Sequence, residues 1–236
     1  MFYYTVSLLR SSAPVLTYSS DKELTIGAIV LAPLKSSLKR AVVIDEVDIP
    51  SFDTAPISSI EYAQYSSNQM GIAKFMSEYY FSSFSEAISL FLPYNYSPLE
   101  DNSDVSHWID KAPKLTEIQS KVYNQIQESS KTLLFGVTGS GKTEIFIKLM
   151  CQVLDEGKSS IFLMPEISLT PQMEKRLKQY FGDRVAMWHS KLTKKRKETI
   201  LNGIASGEIS IIAGARSALF VPLSNVGLIV VVIVSG

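Results

Sequence analysis

The chain has 236 residues, 46% hydrophobic and 19% charged, a composition that is typical of folded protein and excludes a disordered chain. Lysine plus arginine and aspartate plus glutamate both number 23, so overall charge gives no support for nucleic-acid binding and any DNA contact has to come from local patches. The single cysteine, Cys151, excludes an intrachain disulfide and a zinc site of four cysteines, and it favours a reducing compartment.

Residues 1–97 predict a small β-rich module. Three short runs contain β-branched and aromatic residues: 2–9, 26–32 and 40–47. Turn formers separate these runs. One helix is expected around residues 72–92, where apolar residues recur at helical spacing and Pro93 would end it. The first residues lack the basic head and long apolar core of a signal peptide, so we expect a cytoplasmic protein.

Residues 98–113 predict a linker, because this stretch is acidic, polar and bracketed by prolines. From residue 114 to residue 236, short apolar runs alternate with segments of helical periodicity. The apolar runs are 132–135, 161–164, 185–188, 209–213 and 228–234. Strands that alternate with helices imply a parallel sheet covered on both faces, so the fold class is α/β. None of the runs is long enough to span a bilayer as a helix, and we expect no membrane partner.

The strongest motif is a phosphate-binding loop. Eight residues match the pattern G-x-x-x-x-G-K-[ST]: Gly136, Val137, Thr138, Gly139, Ser140, Gly141, Lys142 and Thr143. Glycines let the backbone approach phosphate oxygens, and the N-terminus of the helix expected at 143–154 attracts them. Lys142 can reach the β- and γ-phosphates, and the Thr143 hydroxyl can join the Mg²⁺ shell. The motif therefore predicts a nucleoside triphosphate site with Lys142 and Thr143 as its catalytic candidates.

Gln119 lies upstream of this loop, in a segment that predicts the start of a helix. A glutamine amide both donates and accepts hydrogen bonds, and so it can hold an adenine ring. The alternative is a solvated glutamine in a capping turn with Thr116. The residues alone leave both interpretations open.

Two further loops follow predicted strands and carry candidate DNA contacts. Ser168 and Thr170 follow the apolar run 161–164, and Arg216 and Ser217 follow the run 209–213. Ligands bind at the carboxyl ends of parallel strands, so these side chains can contact the phosphates of one DNA strand without reading its sequence. The alternatives are an ordinary capped turn at the first loop and a surface ion pair for Arg216.

Five segments in order resemble the primosomal protein N′ family of replication-restart DNA helicases. They are 115–119, the loop 136–143 followed by Glu144, 163–172, 189–190, and 214–220 followed by Pro222. The resemblance implies an incomplete RecA-like P-loop domain at 114–236 that binds ATP through Gln119, the loop and Glu144. It also implies a superfamily 2 helicase that moves 3′→5′ on DNA and restarts replication at stalled forks. The implied partners are forked and single-stranded DNA, 3′ ends, other primosome proteins and single-stranded DNA-binding protein.

The N-terminal half resembles, more weakly, the module with which this family binds the 3′ end of a nascent DNA strand. Residues 15–18 align with a segment where the family often has Phe-Asp-Tyr, and only Tyr18 remains. Thr17 stands in place of the acid that would read a terminal 3′-hydroxyl. Tyr18 can stack on a base, and the alternative is a core tyrosine. The gap between residues 97 and 115 is too short for the family's winged-helix module, which we expect to be absent.

The family's next motif is an apolar strand that ends in Asp-Glu-Glu-His. The strand is present at 227–231, but no acid follows it up to residue 236. The missing Asp and Glu would hold Mg²⁺ and polarise water. We therefore expect a truncated chain that binds ATP and DNA, has an incomplete Mg²⁺ site and no zinc, and neither hydrolyses ATP nor unwinds DNA.

Two alternative functions remain at this point. The chain can be a non-catalytic module for DNA ends or forks with a vestigial P-loop. It can also be a different P-loop protein such as a small kinase, although the sequence offers no acceptor site or lid arginines for that reaction, and the string 216–220 has no role in it. Whether the chain is itself an enzyme therefore stays open.

Overall fold

The computed structural model describes residues 1–95, 107–137 and 139–233. The chain divides into two compact units, Met1–Pro98 and Leu99–Gly236. The first unit contains an antiparallel sheet, and the second contains helices with a parallel sheet. This confirms the expected α/β fold class, a β-rich module followed by a partial RecA-like domain.

The first unit is built on a six-stranded sheet in the order β2-β1-β4-β3-β5-β6, and each neighbouring pair is antiparallel. The strands are β1 (Phe2–Leu8), β2 (Leu16–Ser20), β3 (Ala28–Leu34), β4 (Ser37–Val47), β5 (Ser59–Gln64) and β6 (Tyr94–Asn95). Alternate side chains of β1 enter the core, since Tyr4, Val6 and Leu8 belong to one buried cluster. The period-2 pattern of the sequence therefore fixes which face of β1 is buried.

Gly27 permits a close backbone approach in this unit. Its φ is +91°, a conformation that side chains with a Cβ rarely adopt, and an added Cβ would overlap with the Tyr65 carbonyl oxygen. The same region is joined by backbone hydrogen bonds from Tyr65 N to Gly27 O at 2.8 Å and from Gly27 N to Val43 O at 2.9 Å. A glycine is therefore required where β3 begins.

The expected single helix at 72–92 is wrong, because the structure has two helices there, α1 (Ser67–Tyr79) and α2 (Phe84–Ile88). A serine starts each helix with a capping box, Ser66 with Gln69 and Ser83 with Glu86. Phe81, with a φ of +52°, lies between the two helices. The second capping box restarts the helix, and the apolar periodicity did not reveal that break.

The second unit contains a four-stranded sheet in the order β10-β7-β9-β8, with parallel neighbours. Its strands are β7 (Ser159–Leu163), β8 (Val185–Trp188), β9 (Ile211–Gly214) and β10 (Val226–Val231). Its helices are α3 (Glu117–Gln127), α4 (Lys142–Asp155), α5 (Pro171–Phe181) and α6 (Lys194–Ala205). Every residue of β7 is buried, as expected for an interior strand of a parallel sheet. Four of the five predicted apolar runs thus form strands.

The fifth run, 132–135, lies outside the assigned strands. Leu134 packs against the cluster of Tyr123 and Ile145, whereas the side chains of Leu133 and Phe135 are 88% and 92% exposed. A strand requires a hydrogen-bonded neighbour, and none of the described strand pairs includes this segment. The prediction of a paired strand immediately before the phosphate-binding loop is therefore wrong for this structure.

The core of the second unit lies where α4 and α5 cover the sheet. Ile147 and Met150 of α4 pack with Leu177 of α5 and with Phe162 of β7 in one buried cluster. Ile147 and Met150 are three residues apart, which places them on one face of α4. This buried face holds α4 against β7 and α5.

The described part of the expected linker packs on the second unit. A 3-10 helix, Trp108–Lys111, contacts α4, and the backbone N–H groups of Trp108 and Ile109 donate to the Asp155 carboxylate at 2.6 and 2.9 Å. The Trp108 ring lies 6.3 Å from the Phe181 ring, centroid to centroid. The remainder of that linker, residues 98–106, lies outside the described residues.

The helices in the described part of the chain are short compared with the thickness of a membrane. The longest helix of the described ranges is α4, with 14 residues. A helix needs about 20 apolar residues to cross the hydrocarbon layer. Within residues 1–95, 107–137 and 139–233, no helix is long and apolar enough to do so.

Candidate nucleotide and nucleic-acid site

The phosphate-binding loop leads directly into α4. Gly139 and Gly141 have φ values of +81° and +80°, and Gly141 is the N-cap of α4, which begins at Lys142. These left-handed conformations favour glycine, so the motif's glycines are needed for the loop's path as well as for access to phosphate. Thr138, another predicted ATP contact, lies outside the described residues.

Lys142 points back into the loop. Its Nζ donates to the carbonyl oxygens of Gly136 and Val137, the latter at 2.9 Å. A Cβ added to Gly136 would lie 3.0 Å from Ser140 Oγ and 3.8 Å from Lys142 Nζ, so glycine keeps this cradle open. A phosphate oxygen that reaches Lys142 has to replace these hydrogen bonds to carbonyls. Phosphate binding at this loop stays a prediction.

Thr143 and Glu144 occupy the first turn of α4, and both are partly buried. Glu144 N donates to Gly141 O at 3.2 Å, and its carboxylate accepts a hydrogen bond from the Arg176 guanidinium of α5. The Thr143 hydroxyl is the group that can join a Mg²⁺ shell. Among the described residues, no three or more His, Cys, Asp or Glu side chains form a group that could hold a metal ion. Phosphate oxygens and water would have to supply the other Mg²⁺ ligands.

Gln119 is brought to the loop by the start of α3. Its Oε1 accepts from Thr116 N at 2.9 Å, and its own N–H donates to Thr116 Oγ1 at 3.3 Å, which forms a capping box. Its Nε2 lies 3.5 Å from the Ser140 carbonyl oxygen. The structure thus shows the capping turn with Thr116, and contact between Gln119 and an adenine ring stays a prediction.

The candidate DNA contacts lie on two neighbouring loops. Strands β7 and β9 are adjacent and parallel, with Leu163 opposite Gly214 at their carboxyl ends. Met164 N donates to Gly214 O at 2.9 Å, which joins the starts of the two loops. An added Cβ on Gly214 would overlap with the Trp188 carbonyl oxygen at the end of β8, so glycine also permits this approach. One sheet edge therefore carries both loops.

The four side chains on these loops differ in exposure. Ser168 ends a 3-10 helix, Glu166–Ser168, and is partly buried, while Thr170 caps α5 by accepting from Met173 N at 3.2 Å. Arg216 and Ser217 begin a 3-10 helix, Arg216–Phe220, and both are exposed. The ion pairs between described residues do not include Arg216. The geometry thus leaves Arg216 available to a phosphate.

Tyr18 occupies a different setting from the other predicted contacts. Its side chain is 4% exposed, and its hydroxyl donates to the Pro33 carbonyl oxygen at 2.8 Å. Burial raises the pKa of Tyr18. A base could stack on this ring only if the ring left the core. A direct DNA contact by Tyr18 therefore stays a prediction, and the geometry favours the alternative of a core tyrosine.

Arg176 is a residue of this region that sequence analysis missed. It lies on α5, whose sequence shows only an amphipathic helix rich in charged residues, and nothing in that pattern distinguishes it from its neighbours Lys175 and Lys178. The structure distinguishes it, because Arg176 contacts Glu144 beside the phosphate-binding loop.

The end of β10 lies at the same sheet edge. Val231 is opposite Leu163 of β7, and Val232 N donates to Leu163 O at 2.8 Å. The acidic motif expected after this strand is not present in residues 232–236, whose sequence is Val-Ile-Val-Ser-Gly.

Comparison with protein families identifies both units. A model described as DEAD/DEAH box helicase matches residues 116–232, and a model described as 3′DNA-binding domain matches residues 6–93. The first match includes the phosphate-binding loop and the loops after β7 and β9. The second includes β2, β3, β4 and β5 and both helices of the first unit.

Three relatives that match this chain have the same name, replication restart protein PriA. The replication restart protein PriA of Helicobacter pylori is 38% identical over 231 residues, which are 98% of this chain and 37% of that protein. PriA of Rickettsia conorii is 34% identical over 89% of this chain and 34% of its own length, and PriA of Bacillus subtilis is 44% identical over 50% and 15%. The chain spans about a third of the length of the first of these relatives. These matches confirm the resemblance seen in the motifs, and the chain belongs to the replication restart protein PriA family.

Proposed function

We propose that the chain supplies the DNA-binding and ATP-binding parts of a replication-restart helicase. In this proposal, residues 1–97 bind forked DNA or its 3′ ends, and residues 114–236 bind ATP with Mg²⁺ together with one DNA strand. The observation that carries the proposal is the glycine loop that leads into α4, where the Gly136 and Val137 carbonyl oxygens accept hydrogen bonds from the Lys142 ammonium. Other primosome proteins and single-stranded DNA-binding protein are its proposed partners.

Nucleotide binding follows from the charges and donors around the cradle. The N-terminus of α4 offers backbone N–H groups and a partial positive charge, and Lys142 adds a full charge. The Lys142 ammonium donates to two loop carbonyl oxygens in this structure. When ATP binds, charged phosphate oxygens replace these neutral acceptors and form stronger hydrogen bonds with Lys142. Gln119 lies next to Ser140 at the same loop and is the candidate for contact with the adenine ring.

DNA binding by the second unit follows from the two neighbouring loops. Arg216 and Ser217 are exposed after β9, and Thr170 presents a hydroxyl after β7. Hydroxyls, backbone N–H groups and an arginine suit the phosphates of a single strand, and such contacts carry no base preference. This arrangement supports sequence-independent binding of one strand, as movement along DNA requires.

ATP hydrolysis is a separate question from ATP binding. Water activation in this class of reaction requires an acidic residue close to Mg²⁺ and the attacking water. Residues 232–236 contain no acid. We therefore infer that a polypeptide of these 236 residues binds ATP and DNA without hydrolysing ATP or unwinding DNA.

An alternative function is a non-catalytic module for DNA ends or forks that makes no use of its P-loop. One observation favours it: Lys142 already has carbonyl partners within its own loop. If these bonds outcompete phosphate, the loop stays closed to ATP. DNA affinity would then be the same with and without ATP, and Lys142→Ala would not change it.

The first test is the titration of a fluorescent ATP analogue with Mg²⁺ into the 236-residue chain. Lys142→Ala should weaken binding at least tenfold, since a hydrogen bond to a charged group contributes roughly 1.5–3 kcal/mol. The matched control is Lys148→Ala on the same helix, whose Nζ lies over the Tyr123 ring at 5.1 Å from its centroid, outside the loop. Equal binding by the wild type and Lys142→Ala would exclude the P-loop as the site.

The second test measures the anisotropy of a labelled single-stranded oligonucleotide. Arg216→Ala should weaken binding about fivefold to tenfold for every sequence tested, because a phosphate contact is lost. The control is Arg184→Ala, whose guanidinium is engaged with the Gly207 carbonyl oxygen at 3.1 Å. Phosphate release in the same samples tests the catalytic inference, since turnover that disappears in Lys142→Ala would show that another acid serves the reaction.

A further inference from the structure

One ion pair joins the candidate nucleotide site to the candidate DNA site. The Arg176 guanidinium of α5 donates to Glu144 Oε1 in the first turn of α4. The two helices follow different loops, since α4 follows the phosphate-binding loop and α5 follows the loop that carries Ser168 and Thr170. The contact therefore connects the first turn of α4 with the second turn of α5, and the two helices follow different candidate ligand loops.

Glu144 lies close enough to the nucleotide loop to affect it. Its Oε2 would be 3.3 Å from a Cβ on Gly141, and Gln119 Nε2 would overlap with that same Cβ. Gln119 and Glu144 thus converge on Gly141, the residue that starts α4. A carboxylate at this place repels the phosphates of ATP, and its repulsion is weaker while Arg176 neutralises it.

Arg176 lies on the helix that directly follows the other loop. Helix α5 begins at Pro171 and is capped by Thr170, which follows Ser168 and the Pro165 turn. Arg176 lies in the second turn of this helix, and a helix moves as a rigid element over so short a span. A shift of the loop at 165–170 therefore moves the guanidinium relative to Glu144.

We propose that Arg176 is a positioning residue through which single-stranded DNA bound at the 165–170 loop changes the affinity of the P-loop for ATP. The inference rests on the proposed function, because it requires both ligands to bind. DNA that displaces α5 alters how far Arg176 neutralises Glu144, and ATP affinity follows that neutralisation. By linkage, ATP changes DNA affinity by the same factor.

The exposure of the pair suits this role. The side chains of Arg176 and Glu144 are 40% and 28% exposed, so water screens the pair and either partner can move without leaving a buried charge. Ion pairs at such exposure contribute little to folding stability. Replacing Arg176 should therefore change the coupling between ligands far more than it changes the fold.

The test measures the dissociation constant of a fluorescent ATP analogue with Mg²⁺, with and without saturating oligothymidylate, on the 236-residue chain. The ratio of the two constants is the coupling factor, and we expect a factor of about 5 or more in the wild type. Arg176→Ala should bring the ratio close to 1, while its affinity for oligothymidylate without nucleotide should stay within about twofold of wild type.

A matched control lies on the same helix. Lys178 forms an ion pair with Glu174 at 2.8 Å, and both residues belong to α5. The exposed fractions of the two side chains, 43% and 40%, are similar to those of the Arg176–Glu144 pair. Lys178→Ala removes a charge of the same sign from the same helix without touching α4, so it should leave the ratio unchanged.

A double-mutant cycle separates the pair from its two members. Glu144→Gln should lower the ratio as Arg176→Ala does, and the double variant should lower it no further, because both changes remove one interaction. Additive effects of the two changes would overturn the proposal. A wild-type ratio that Arg176→Ala preserves, or an equal loss in Lys178→Ala, would overturn it as well.

Failure of the proposed function is distinguishable from failure of this inference. A wild-type chain that does not bind the ATP analogue or the oligonucleotide contradicts the proposed function. A wild-type chain that binds both with a ratio of 1 contradicts only the coupling through Arg176.

Discussion

The two units place their characteristic residues at opposite levels of burial. In the first unit, Tyr18, the aromatic residue that sequence analysis singles out as a candidate DNA contact, lies within the sheet's core in the same cluster as Tyr4. In the second unit, the motif residues lie on loops at strand ends or in a first helical turn, and Lys142 and Arg216 are partly or fully exposed. The residue singled out in the first unit therefore belongs to the core, whereas the residues singled out in the second unit remain accessible as candidate ligand contacts.

The difference has a physical origin in the two kinds of sheet. The two buried tyrosines have backbone partners for their hydroxyls, since Tyr4 Oη accepts from Leu24 N at 2.9 Å and Tyr18 donates to Pro33 O. The interior strands of the parallel sheet, β7 and β9, are completely buried, so the polar motif residues lie on the connecting loops. Motifs on those loops indicate function more directly than aromatic residues in antiparallel strands do.

The largest expected effect concerns the glycines that each unit uses for close backbone approach. Gly27→Ala forces a Cβ onto the Tyr65 carbonyl oxygen at a φ of +91°, and Gly214→Ala forces one onto the Trp188 carbonyl oxygen. Each substitution should cost roughly 2–4 kcal/mol in the free energy of unfolding. Hydrogen exchange measured peptide by peptide in urea should show the loss within the unit that carries the change.

Gly71→Ala is the control for this pair. Gly71 lies inside α1, and an added Cβ there meets nothing within 4 Å. Alanine should stabilise the first unit by about 0.5–1 kcal/mol, because glycine is the poorer helix former. If Gly27→Ala and Gly71→Ala shift exchange equally, the steric account of Gly27 fails.

The sequence predicted the second unit's sheet well because its strands are short, mostly apolar and separated by segments of helical periodicity. Each of β7, β8, β9 and β10 falls on a predicted run. The run at 132–135 has the same composition but no hydrogen-bonded partner strand among the described residues. Pairing is a property of the neighbour as much as of the segment, and a single run cannot reveal it.

The candidate site was predicted where a motif places several groups at fixed spacing. The loop at 136–143 specifies Lys142 and its glycines together, and the structure shows the expected turn into α4. Arg176 could not be found in this way, because its contact with Glu144 joins two helices that are separated in sequence by a strand and a loop. A long-range pair between ordinary charged residues leaves no local pattern.

A smaller effect tests the structural role of Tyr18 against a DNA contact. Tyr18→Phe keeps the buried ring and removes the hydrogen bond to Pro33 O, so it should cost about 1 kcal/mol of unfolding free energy and leave DNA affinity unchanged. Hydrogen-exchange protection of β2 measures the unfolding free energy, and fluorescence anisotropy with a labelled 3′-ended oligonucleotide measures the DNA affinity. Weaker DNA binding by Tyr18→Phe at full stability would assign Tyr18 to the DNA site.

The smallest effect concerns the pH dependence of the second unit. Cys151 is fully buried, and burial raises the pKa of its thiol from 9.0 to about 12. Above pH 9 the unfolded chain releases the thiol proton while the folded chain retains it. The stability associated with the neutral thiol is therefore complete below pH 9 and is lost as pH rises toward 12. Linkage gives a loss of about 1 kcal/mol at pH 10.

Cys151→Ala should remove this part of the alkaline loss, although it lowers stability at neutral pH by a small cavity term. Urea unfolding followed by tryptophan fluorescence at pH 7.5 and pH 10 measures the stability of the second unit selectively, because Trp108 and Trp188 both belong to that unit. The first unit contains no cysteine, and burial raises the pKa of its Tyr18 and Tyr65 instead. Its own alkaline loss should therefore be unchanged in Cys151→Ala. An identical pH dependence of the tryptophan signal in wild type and variant would show that the thiol ionises equally in both states, contrary to its complete burial.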